Sequence, residues 1–186
     1  MILCGPNYWG TREMSALARR LDGAGMAIIA AVGLSGCFSS RASLVPAAES
    51  LKLFGEQGGA TRVEFGAGAP THVAFTWKGD AYAIADPREP RNQALYRIAN
   101  MRESWLVTQR MEHGVAVYGL ARREGERLWT YSPACQDLPD ADRVALNLTI
   151  QPDGMCWIAS PDQLKGAMRK FTAKNLQPDG YFEITK

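Results

Sequence analysis

Val73-Ala74-Phe75-Thr76-Trp77-Lys78-Gly79-Asp80-Ala81-Tyr82-Ala83-Ile84-Ala85 is the clearest structural signal in the chain, and the fold class hangs on it. Val73, Phe75 and Trp77 alternate with small or polar neighbours, the two-residue period of a strand with one buried face. Lys78-Gly79-Asp80 interrupts that period with turn residues, and Ala81 to Ala85 reads as the return strand.

Beyond this hairpin, Asp86-Pro87-Arg88-Glu89-Pro90 is a loop, because two prolines withhold backbone donors. Further strands follow over Leu95–Ala99, Trp105–Met111, Val115–Ala121 and Arg127–Tyr131. Polar turns separate them at Asn100, Glu112-His113-Gly114 and Glu124-Gly125-Glu126. A repeat of roughly 10 residues with such turns predicts an antiparallel meander. On the other side of the hairpin, Arg62-Val63-Glu64-Phe65 predicts a first short strand. Gly55, Gly58, Gly59, Gly66 and Gly68 argue against anything longer there, and Glu49–Phe54 predicts a helical turn.

The C-terminal third changes character. Asp140 suits the N-cap of a short helix with acids at its positive end, and a strand over Val144–Ile150 competes with it. Ser160-Pro161-Asp162-Gln163 is a stronger start signal: a capping serine, proline at the first helical position and glutamine where a capping box needs it. Leu164, Met168 and Phe171 then share one face, which predicts a helix over Pro161–Lys174. Gln-Pro-Asp-Gly occurs at 151–154 and again at 177–180, each time ahead of an apolar run, and reads as turn chemistry. The expected fold class is α+β: an antiparallel β-meander with a C-terminal helix-containing segment.

The N-terminal segment has a different logic. Arg19-Arg20 precedes an apolar run from Ala24 to Leu34, which ends in Leu34-Ser35-Gly36-Cys37. Positive charge, a short apolar stretch and small residues at a cleavage point form the pattern of a secretory signal. The run is about half of the ~20 residues a spanning helix needs. Leu34-Ser35-Gly36-Cys37 resembles the lipobox of bacterial lipoproteins. The resemblance implies that the Cys37 thiol receives a diacylglyceryl group, that the chain is cut just before it, and that the new amino terminus is acylated. It covers about positions 14–37. Phe38, rather than Asp, after the cysteine implies sorting to the outer membrane, on its periplasmic face. Met14 makes a more ordinary signal start than Met1. The expected organisation is residues 1–36 as signal peptide, 37–60 as lipidated cysteine and flexible tether, and 61–186 as one small globular domain.

Within that compartment the cysteines sort themselves. Cys4 leaves with the signal and Cys37 takes lipid, so Cys135 and Cys156 remain as a disulfide pair. A zinc site would need further ligands, and His72 and His113 are far apart in sequence. The whole chain carries a formal charge of +2. Its basic residues alternate with acids, so no nucleic-acid patch is expected.

No nucleophile elbow or phosphate loop is present. His72 and His113 are isolated, and Asp137, Asp140 and Asp142 lack the order of a calcium loop. No catalytic residue, metal or cofactor is therefore assigned. Trp77, Tyr82, Trp105, Tyr118 and Trp129 could line a binding face, although large aromatics on strands also build cores. The expected function is a membrane-anchored, non-enzymatic accessory or binding domain of the cell envelope. It would be held to the bilayer by acylated Cys37 and face peptidoglycan or an envelope protein. An envelope hydrolase is the alternative.

Overall fold

A computed structural model describes residues 37–66, 69–87, 91, 93–112, 114–152 and 154–185. The strands are β1 (Phe38–Ser40), β2 (Gln57–Glu64), β3 (Thr71–Trp77), β4 (Tyr82–Ala85), β5 (Gln93–Arg102), β6 (Trp105–Glu112), β7 (Val115–Glu124), β8 (Arg127–Tyr131), β9 (Cys156–Trp157) and β10 (Gly180–Thr185). Two short helices, α1 (Asp140–Ala145) and α2 (Pro161–Thr172), lie between β8 and β10.

The central hairpin forms as its period requires, with Phe75 opposite Ile84 and Gly79 in the left-handed region at φ 91°. Each strand from β2 to β8 pairs antiparallel with the next. β10 then pairs with both β8 and β2. The meander is thereby closed into an eight-stranded barrel, which removes the free edges an open sheet would expose. The α+β expectation is corrected to a β-rich fold. The antiparallel strands stand; their closure depends on Gly180 lying opposite both Glu64 and Thr130, far away in sequence.

The first barrel strand is longer than expected, because glycine here makes room rather than breaking the element. A Cβ on Gly58 would lie 2.7 Å from the ring of Phe75, and one on Gly59 would lie 2.9 Å from Thr185 Oγ1. The helical turn falls at Ala47–Glu49 rather than Glu49–Phe54. Val144–Ile150 is not a strand: Val144 belongs to α1, whose N-cap is Pro139 and not Asp140. α2 starts as its capping signal requires, with Ser160 Oγ accepting from Gln163 N at 3.2 Å and Gln163 Oε1 accepting from Ala159 N at 2.8 Å.

The stretch after Cys37 is not a loose tether. Phe38 is fully buried, and β1 pairs with β7 through Phe38–Tyr118 and Ser40–Ala116. Buried Gln109 clamps the segment after β1, its Oε1 accepting from the backbone N–H groups of Leu44 and Val45 at 3.0 Å each. Tyr118 adds a second clamp, with its hydroxyl 2.7 Å from Ser40 Oγ.

Two cores result. Inside the barrel, Val73, Phe75, Tyr82, Ile98, Leu106 and Leu128 pack together, with Phe54 against them. Outside β5–β7, Leu164, Ala167, Met168 and Phe171 of α2 pack on Phe38, Ala99, Val107 and Leu120. Cys135 and Cys156 are joined in a disulfide within this outer layer, with Cα atoms 5.9 Å apart.

Candidate binding site at the barrel mouth

Strand alternation sends every second side chain inward. Over most of the barrel those side chains are apolar. Toward the ends of β2 and β6 they become charged: Arg62 and Glu64 on β2, and Arg110 on β6. With Asp179, just before β10, they line a cavity of about 220 Å³ together with Tyr96, Thr108, Thr130, Ser132 and Phe182. An apolar void of about 50 Å³ lies deeper, and Tyr96, Thr108, Thr130 and Phe182 line both. The polar chamber thus opens onto an aromatic floor.

The charges are arranged unequally. Glu64 is ion-paired with Arg62 and feels the field of Arg110, yet burial is the larger effect and raises its carboxyl above the ordinary range. Arg62 also places its guanidinium 5.9 Å from the Phe182 ring. Asp179 is likewise raised by burial, opposed by hydrogen bonds from the side chain and backbone of Ser132. Its Oδ2 is buried without a hydrogen-bond partner. A buried carboxylate oxygen left so is costly and is an available acceptor for a ligand or a water.

Cys37 lines this cavity, as do Ser132 and Tyr181. It lies where β8 leaves β7 and β1 takes over as the neighbour of β7. Cys37 is not a free cysteine.

The aromatics do not form one row. Tyr82 and Tyr118 are buried, and their hydroxyls serve the fold: Tyr82 accepts from Phe54 N at 2.8 Å, and Tyr118 accepts from Leu44 N at 3.1 Å. Trp77 packs on Tyr82 inside the barrel, and Trp105 packs on Tyr131 outside it. Trp129 stands on the outer wall against Tyr181 and Phe65. The chambers are lined instead by Tyr96, Tyr131, Tyr181 and Phe182, along with the two buried tyrosines.

His72 is exposed on the outer face of β3, with Nδ1 3.2 Å from Thr61 Oγ1. His113 lies outside the described residues, as do the signal segment and Leu34-Ser35-Gly36. No histidine is among the described residues lining the cavity. Asp140 pairs with Arg143, and Asp142 with Lys170 at 2.8 Å, so the acidic cluster is engaged in helix contacts. Among the described residues, no group of three or more His, Cys, Asp or Glu could hold a metal, and no helix is long and apolar enough to cross a membrane.

The signal missed in the sequence was charge at inward-facing strand positions. Arg62, Glu64 and Arg110 share the parity of their buried strand neighbours Ala60 and Leu106. Asp179 was absorbed into a Pro-Asp-Gly turn.

The molecule is thus a closed, eight-stranded up-and-down barrel with one charged mouth. The chain matches no family model, no curated protein and no solved structure.

Proposed function

We propose that this protein is a lipid-anchored binding domain of the bacterial envelope, held on the periplasmic face of the outer membrane, with the barrel mouth as its ligand site. The observation that carries the reading is the 220 Å³ cavity with Arg62, Glu64, Arg110 and Asp179 on its wall. Barrels of eight strands are just wide enough to fill with side chains or to hold one small ligand. Charged groups held inside one, over an aromatic floor, suit a small ligand with a polar head and an apolar body. The size falls below the ~300–1,000 Å³ of pockets for drug-sized molecules, which favours a fragment such as a peptidoglycan-derived piece or a short segment of an envelope protein.

The address rests on the charge, apolar run and Leu34-Ser35-Gly36-Cys37 order. One sulfur cannot carry both a disulfide and a thioether. The anchor therefore requires Cys37 as a free thiol: its sulfur takes the diacylglyceryl carbon of a phospholipid, the headgroup phosphate leaves, the thiol proton is lost, and the chain is then cut ahead of residue 37.

Mass spectrometry of the protein extracted from membranes tests this directly. The expected mass is that of residues 37–186 plus acyl groups on Cys37, and Cys37→Ala moves the protein to the soluble fraction. A chain that retains residues upstream of Cys37 and carries no acyl group overturns the anchor.

A further inference from the structure

The geometry points to a protonated primary amine as the head group that the barrel mouth takes, its ammonium donating to Asp179 Oδ2 and its apolar body lying on the aromatic floor. This deepens the reading of the mouth as a ligand site and rests on it. Asp179 is fixed before any ligand arrives: its backbone N–H donates to Thr130 O at 2.8 Å, and its carbonyl accepts from Phe65 N at 2.7 Å. Ser132 donates to the carboxyl through both its side chain and its backbone. Oδ2 is the buried oxygen left without a partner, so those bonds fall on the other one. Among the described residues, burial and Ser132 are the influences on this carboxyl, and no cation is among them. Glu64 is the acid that the cations of the mouth act on: Arg62 is ion-paired with it, and the field of Arg110 reaches it.

One open oxygen selects the donor. A guanidinium presents a planar fork that matches both oxygens of a carboxylate, and here one of the two is taken. An ammonium is a compact point donor that needs only one. Its charge also offsets the cost of burying the anion, which a neutral hydroxyl does not. The strand register supplies the path for the body. Asp179 is followed by Gly180, which lies opposite Thr130, and Thr130 lines both the charged chamber and the apolar void. Phe182, two residues along β10 from Gly180, lines both as well. A short branched chain attached to the ammonium therefore runs from Asp179 past Thr130 and Phe182 into the void of about 50 Å³.

The test is isothermal titration calorimetry of the full-length protein at neutral pH. Its probes share one branched body and differ in the head: isoamylamine, isoamyl alcohol and isocaproate. The amine is expected to bind about tenfold tighter than the alcohol or more, the range of a hydrogen bond to a charged group. Asp179→Asn is expected to erase that difference, and Phe182→Ala to weaken the amine and the alcohol alike. Equal affinity for the two, or an amine preference untouched by Asp179→Asn, overturns the ammonium and leaves the mouth a site for the shared body. Tightest binding of isocaproate moves the head group to the arginines and likewise overturns the ammonium alone. Binding of none of the three overturns both the ammonium and the mouth as a site for such a ligand. If Asp179→Asn loses its melting transition, the ratio of amine to alcohol affinity in the wild type decides alone. Leucine and leucinamide then separate two sources of the same ammonium, a free amino acid and the N-terminus of a peptide.

Discussion

The layer outside β5–β7 and the interior of the barrel are both apolar, but the first leaves a void of only about 10 Å³. Outside, Phe38, Ala167, Met168, Phe171, Cys135 and Cys156 are buried without residual exposure, and a disulfide ties the loop segment to the sheet. Inside, packing gives way to an apolar void and a charged mouth. Rigidity and openness are thus kept on opposite faces of the same strands. Alternating residues of β5–β7 serve the two needs: Ala99 and Val107 face the helix, while Ile98 and Leu106 face the lumen.

Truncation tests this contrast most directly. Phe171→Ala opens a void in the filled layer and is expected to cost about 3–5 kcal/mol by urea denaturation. Phe182→Ala, beside existing space, is expected to cost about 1–2 kcal/mol. Equal losses would erase the distinction between the two cores.

Next in size is the disulfide. Reducing Cys135–Cys156 releases a loop with a sequence separation of 21, worth about 3 kcal/mol in the chain-entropy model. The melting temperature is then expected to drop by roughly 6–12 °C for a domain of this size. No shift after verified reduction would show that the outer layer holds without its staple.

The smallest effect concerns the mouth. Burial raises the Asp179 carboxyl in the folded state, so the native protein keeps that proton to higher pH than the unfolded chain. The stability it contributes is full below the unfolded pKa of about 3.9 and is lost as pH rises through the folded value. Asp179→Asn removes the titration. Denaturation curves from pH 4 to 7 are expected to fall less with rising pH in the variant than in the wild type. Parallel curves would mean that water reaches Asp179 freely.

Local elements were legible where one physical cause dominated. The alternation at Val73, Phe75 and Trp77 gave β3, and the Ser160–Gln163 signal gave the start of α2. Barrel closure was not legible, because it joins β2 to β10 across most of the chain, and pairing at that separation leaves no local pattern. Gly58 and Gly59 misled for a related reason: their missing side chains make room for Phe75 and Thr185, residues outside their own segment. Phe38 reads as tether in the sequence because its partners on β7 lie some 80 positions away. The pairing of Cys135 with Cys156 was reached by elimination, whereas the mouth depends on four charged residues scattered from Arg62 to Asp179.

The placement of β10 bears on biogenesis. The ring has a gap between β2 and β8 until residues 180–185 are in place, so the lumen is enclosed only after those residues have been made.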